Sequence, residues 1–317
     1  MYVSLDAWST QQENGATESL NSKVILTTTS MYNFQELLPF FKTLSVTSDA
    51  RVVVFGIHNG QSLIESIKAT GAEYIDCSGR YRMCSESLVS AFRILRRTRG
   101  LRKYFHKCFH LLGSNKRVAT SLETYFCGLQ SQRYAVYFDW LAEQQCEEVV
   151  TSDIRDVVFQ SDPFASQIRK LEIAVEPTIR VTRDEHNHIW LTAAFGKECA
   201  DSYIGNKVSC SGVTAGTKTE MLSYFELMTL EINKLRGFVG PIDQAVHNHL
   251  WYSGQFGNHS ALENGDARVL TLQYEEISRI NILDQWLVFD KQSKVPILHQ
   301  YDRHQLTTDF VRDVLLK

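Results

Sequence analysis

The sequence predicts an α/β protein with a mixed, mainly parallel sheet and helices on both faces. Three observations carry this. Short, continuously apolar runs alternate with segments of helical spacing, and those runs lack the in–out alternation of a one-sided sheet. The chain is also long enough, at 317 residues with 44% hydrophobic and 22% charged, to bury a large core without disulfide or structural metal.

Residues 1–21 are polar and are expected as a tail, with residues 22–317 as one domain. Lys23–Thr29 reads as a buried strand. Asn33 with Glu36 is a capping-box signature, and Phe34, Leu37, Leu38, Phe41 and Leu44 follow at helical spacing. Arg51–Gly56 is a second strand, Ser62–Thr70 a helix, and Ala72–Asp76 a third strand. Glu147–Ser152 and Leu171–Glu176 add two more strands. Thr217 with Glu220 caps an apolar helix, Met221–Leu235, that ends at Gly237. Pro241 opens a helix carrying Asp243 and Gln244, and Val295–His299 is a late strand. His186 and His188 are expected on a loop or strand edge.

Composition narrows the function classes. A net charge of −3 argues against a polyanionic partner for the molecule as a whole. Seven cysteines without a C-x-x-C pair read as reduced, mostly buried thiols of a cytoplasmic protein. Neither a secretory leader nor a run of about 18 apolar residues is expected. Residues 80–117 hold eleven Lys or Arg against one acid, Glu86, on two expected amphipathic helices. That segment is either a solvated face or a peripheral contact with an anionic membrane or polyprenyl diphosphate. No nucleic-acid recognition module accompanies it, so nucleic acid is not an expected partner. His106 and His110 are expected as helix surface. No G-x-S-x-G, Walker loop or G-x-G-x-x-G supports a serine hydrolase, P-loop kinase or dinucleotide oxidoreductase.

The segment Cys146–Phe164 carries the most chemistry. An apolar strand delivers Asp153 and Asp156 at its carboxyl end, where open α/β sheets bind ligands. Two nearby carboxylates repel unless a cation compensates, and Mn2+ or Mg2+ bridging to a diphosphate does so. Arg155 between them can pair with either acid or with phosphate. The alternative is an Asp-rich turn in which Asp153 caps and Arg155 forms a surface ion pair.

The pattern resembles the metal-binding aspartate motif of GT-A glycosyltransferases. It is most similar to a group with an Asp-Val-Arg-Asp-Val-x-Phe-Gln-x-Asp-Pro-Phe block, here Asp153–Phe164 preceded by Arg133, Tyr134 and Tyr137. This chain has Asp-x-x-Asp where the motif has Asp-x-Asp. The resemblance puts Asp156 on the metal, while Asp153 stands one residue out of register and is assigned to substrate with Arg133 and Arg155. Cys210–Gly216 resembles an Asn-Ser-Gly segment lining the sugar pocket, with Cys210 for Asn and Ser211 and Gly212 matching. Gly240–Asn248 resembles the Asp-Gln helix, implying Asp243 as base or donor-sugar contact and Gln244 as a substrate ligand. Leu298–His304 resembles the segment whose histidine, here His299, completes the metal site.

The resemblance implies a GT-A-like, metal-dependent transferase that moves a sugar from a nucleotide-diphosphate donor to a glycan or lipid-linked glycan acceptor. Thr27, Thr28 and Thr29, with the turn near Gly56 and His58, are expected to hold the nucleotide. The alternatives are a nucleotidyltransferase of related fold and a non-catalytic nucleotide-sugar-binding protein. The former wants a Gly-rich basic loop after the first strand, which Thr27–Ser30 lacks.

Overall fold

Three parallel strands open the structure. They are β1 (Lys23–Thr29), β2 (Arg51–Gly56) and β3 (Glu73–Asp76), with helices α1 (Phe34–Thr47) and α2 (Gln61–Ala69) between them. The computed structural model describes residues 22–30, 32–78, 129–181, 185–235, 242–264, 266, 268–290 and 293–317. The expected polar tail and the basic helices of residues 80–117, with His106 and His110, lie outside the described residues.

The chain continues through α3 (Leu129–Glu143), β4 (Glu148–Ser152), β5 (Val157–Phe159) and β6 (Leu171–Arg180). Helices α4 (His186–Phe195) and α5 (Lys197–Ser202) lead to β7 (Lys207–Thr217), α6 (Lys218–Lys234) and α7 (Ile242–Tyr252). Then come β8 (His259–Glu263), β9 (Val269–Thr271), the small sheet β10 (Ile280–Leu283), β11 (Trp286–Phe289) and β12 (Ser293–Lys294), β13 (Ile297–His299), and α8 (Gln305–Phe310).

The main sheet has the order β3-β2-β1-β4-β7-β6-β8. Four of its pairings are parallel, and β7 runs antiparallel to both neighbours, β4 and β6. It is therefore mixed and mainly parallel, as the sequence predicts. Period-two alternation assigns the faces. Val24, Leu26, Val53, Phe55 and Val149 pack with α3, α6 and α7 residues such as Tyr137, Tyr224 and Val246. Ile25, Val54 and Val150 turn the other way, onto Leu37, Phe40 and Phe41 of α1 and Ile67 of α2. Both faces are covered, which explains why the strands read as unbroken apolar runs.

Caps fix the helix starts. Asn33 and Glu36 form the expected reciprocal capping box on α1, and Thr217 accepts from the Glu220 N–H at the start of α6. Two local expectations are corrected. His186 and His188 begin helix α4, whose N-cap is Glu185; His188 is buried against Asp201 at 2.9 Å. Of the described cysteines, all are free, Cys77 is buried, and Cys146, Cys199 and Cys210 are only partly so. No described helix is long and apolar enough to cross a membrane.

Candidate active site

A second small sheet, β5-β13-β9, sets the centre of the site. β13 pairs antiparallel with β5, placing His299 opposite Val157, and the Gln300 N–H donates to the Asp156 carbonyl at 2.7 Å. Backbone pairing thus brings His299 beside Asp156 across 143 residues of chain. On the other side, the Asp153 N–H donates to the Gly212 carbonyl at 2.8 Å, continuing the β4–β7 ladder. Asp153, Asp156 and His299 each offer a ligand atom, all within 4.8 Å of one another.

Gly212 has a steric reason to be glycine. A Cβ there would lie 2.5 Å from His299 Cε1, 2.6 Å from Nε2 and 2.8 Å from Asp153 Oδ2. The space is taken by the cluster itself.

Electrostatics separates the two aspartates. Burial opposes ionisation of Asp153, but Arg133 outweighs it, donating from Nη1 at 2.6 Å, and with His299 holds that carboxyl at about 2. Asp156 is pushed up instead, chiefly by burial, with His299 opposing and Asp153 adding. Burial also opposes a charge on His299, yet Cys210, Asp153 and Asp156 raise its proton affinity well above the ordinary range. The cluster favours positive charge at its centre. His299 Nε2 is buried and has no hydrogen-bond partner, facing Asp153 Oδ2 at 3.7 Å. An orphaned imidazole nitrogen between two carboxylates, with no room for a side chain at Gly212, is a donor set that could hold a divalent metal ion.

Arg133 was expected on substrate, but its donors are turned to protein. Nη2 donates to Asp243 Oδ2 at 2.9 Å, the Ser211 carbonyl at 3.2 Å and Tyr134 Oη at 3.1 Å. It anchors Asp153 and Asp243 together. Burial raises the Asp243 carboxyl, with Arg133 opposing. Ser211 donates its backbone N–H to Gln244 Oε1 at 2.9 Å, and Gln244 Nε2 donates to the Ser209 carbonyl at 2.9 Å. Asn248 and His247 also bond Ser209, so α7 is joined to β7 by side chains along its whole inner face.

These groups line a cleft of about 580 Å3 that includes Thr28, Arg155, Ser211, Gly212, Asp243 and Gln244. Of the three threonines expected at the nucleotide, only Thr28 lines it; strand alternation turns Thr27 and Thr29 to the opposite face, where both are fully buried. Gly56 and His58 are not among the cleft residues. Gly56 packs against Tyr74, and His58 is exposed. Arg155 lines the cleft, paired with Asp302 at 2.9 Å and lying 3.7 Å from Asp156.

The sequence reading missed several cleft residues. Arg303 donates to Asp156 Oδ2 at 3.0 Å, within the very segment that supplied His299. Glu176, Asn187, Trp190, Gln273 and Tyr274 line the other arm. Glu176 is raised to about 7, chiefly by burial, with His299 opposing and Glu185 and Glu275 adding.

No family model and no curated protein matches the chain in sequence. Among solved structures, the fold is similar to the glycosyltransferase GlyE of Streptococcus pneumoniae TIGR4, with 14% identity and a TM-score of 0.41 over 77% of this chain. A second is glucosyl-3-phosphoglycerate synthase of Mycobacterium tuberculosis, in complex with Mn2+, UDP and phosphoglyceric acid, with 11% identity and a TM-score of 0.35 over 80%. The chain spans 46% of the first protein and 72% of the second. Similarity this distant leaves chemistry to be argued from the site.

Proposed function

We propose that this protein is a metal-dependent glycosyltransferase that moves a sugar from a nucleotide-diphosphate donor to an acceptor hydroxyl. The observation that carries the reading is the Asp153, Asp156 and His299 cluster at the floor of a polar cleft, with one imidazole nitrogen orphaned. Asp156 and His299, joined by Asp153, would hold Mn2+ or Mg2+; when bound, the ion supplies charge neutralisation for the leaving diphosphate.

The chain's own residues do the rest. Arg155 and Arg303 flank Asp156 and offer guanidinium donors to phosphate oxygens. Thr28 lies at the carboxyl end of β1, on the expected nucleotide side of the cleft. Ser211 and Gly212 form the wall beside the donor sugar. Asp243 is locked to Arg133 and lies 3.5 Å from Ser211 Oγ, so of its two expected roles, donor-sugar contact suits it better than base. Arg133 positions both aspartates rather than touching substrate. The reading includes a cytoplasmic setting, a glycan or lipid-linked glycan acceptor, and peripheral contact of residues 80–117 with anionic membrane, which salt-sensitive flotation on anionic vesicles tests.

The deciding experiment is calorimetry of uridine and guanosine diphosphates with Mn2+ and with a chelator, in wild type and Asp156→Ala. Metal-dependent binding that the substitution removes is expected. Equal binding in chelator, or a Mn2+ response retained by Asp156→Ala, sinks the metal-dependent mechanism.

A further inference from the structure

The cleft is electrically lopsided. Its arginines, Arg133, Arg155 and Arg303, all sit at the end with Asp153 and Asp156. The other arm is lined by Glu176 from β6, Asn187 and Trp190 from α4, and Gln273 and Tyr274 after β9, and among the described residues no Lys or Arg lines it. Glu176 is 6% exposed, its Oε2 is buried without a hydrogen-bond partner, and it forms no ion pair among the described residues. An unpartnered buried carboxylate oxygen is costly to keep unless a ligand supplies the donor.

The partners of that donor follow from the walls. Tyr274 is 40% exposed and Trp190 partly so, offering flat apolar faces beside amide donors and acceptors. Such a mixture suits the apolar ring face and hydroxyl edge of a sugar. An anionic acceptor would be repelled by Glu176, to which Glu185 and Glu275 add, with only His299 opposing among the described groups that act on that carboxylate.

We propose that this arm is the acceptor site for a neutral sugar, and that Glu176 Oε2 accepts the hydrogen bond and then the proton of the attacking hydroxyl. The proposal rests on the transferase reading for its chemistry, though not for sugar binding. The acceptor oxygen bonds to the anomeric carbon while that carbon's bond to the diphosphate oxygen breaks, the electron pair leaving with the diphosphate. The hydroxyl proton passes to Glu176 and from there to solvent. A carboxyl titrating close to neutrality is well matched to that transfer. With Asp243 held by Arg133, Glu176 is the cleft carboxylate left free for it.

The test uses the full chain and two kinds of probe. Saturation-transfer NMR with a panel of methyl glycosides and the matching sugar 6-phosphates, with and without UDP and Mn2+, reads the site directly. At least one neutral glycoside should contact wild type and lose that contact in Glu176→Ala and Trp190→Ala, while the phosphates give none. Turnover with that glycoside should fall about 100-fold in Glu176→Gln with donor affinity unchanged; this near-isosteric variant, checked by its melting curve, guards against simple misfolding. No glycoside contact in wild type under either condition, a preference for the phosphates, or unchanged turnover in Glu176→Gln overturns the proposal. Glycoside contact persisting in a protein whose UDP binding ignores Mn2+ supports the sugar site and sinks the transferase reading instead.

Discussion

Glu176→Gln has a stability signature whose size and sign follow from the burial of that side chain, independently of any substrate. The carboxyl rises from 4.5 to about 7 on folding, chiefly through burial. Below the lower value it is protonated in both states and contributes no difference. Between the two it is protonated only in the folded state, so the folded form binds the extra proton and stability falls as pH rises. Above the upper value the buried carboxylate must be ionised, and the full penalty of about 3 kcal/mol is present. His299, Glu185 and Glu275 act on the group, and Tyr252 on α7 and Tyr274, both raised chiefly by burial, are raised further by it. Glutamine keeps the shape and removes the titration. Urea denaturation of both proteins at about pH 4.5 and about pH 8 should therefore show the variant gaining about 3 kcal/mol on wild type at the higher pH. In melting curves this is roughly 4–5 °C at this chain length. A gap that stays constant with pH, or that favours wild type at the higher pH, refutes the claim that Glu176 is buried without a partner.

Three further outcomes test the site. Gly212→Ala should abolish Mn2+-dependent nucleotide binding in calorimetry and cost about 1–3 kcal/mol in denaturation, because the new methyl would occupy the space of His299 and Asp153. Arg133→Met should cost about 3–5 kcal/mol, since it leaves Asp243 buried without its counter-charge, and Arg133→Lys should recover part of that. Asp243→Asn should lower turnover by about two orders of magnitude while calorimetry shows nucleotide affinity unchanged, as expected of a contact that positions the donor sugar.

The strands and helices that the sequence announced are those whose signals are local. Lys23–Thr29, Arg51–Gly56 and Glu148–Ser152 are apolar runs buried on both faces, and Asn33 and Thr217 cap the helices they were expected to cap. The insertion of β7 between β4 and β6 is a long-range choice with no local mark. The apolar run predicts strand β6 only over Leu171–Glu176. It instead runs to Arg180, with a register shift between Glu176 and Arg180 that accommodates the irregularity.

The same division governs the cleft. Asp153, Asp156, Gly212 and His299 were legible because each lies in or beside a strand inside a recognisable block, and the structure brings all four together. Glu176, Asn187 and Trp190 were not, because they reach the cleft through a β-bulge and through a helix that the sequence marks only weakly. Thr27 and Thr29 show the reverse error: a run of three identical residues cannot face one way in a strand, and only Thr28 does so. Arg133 is the most instructive. Its place in the motif identified it as part of the site, but a guanidinium carries five donors and the sequence does not say where they go. Packing answers that question. Four of its contacts are to Asp153, Asp243, Ser211 and Tyr134, so its charge is already engaged before any substrate arrives. Under the proposed function, a diphosphate would then be met by Arg155 and Arg303, whose side chains are about one-third exposed beside Asp156 and whose acidic partners include the carboxylate a metal would take over.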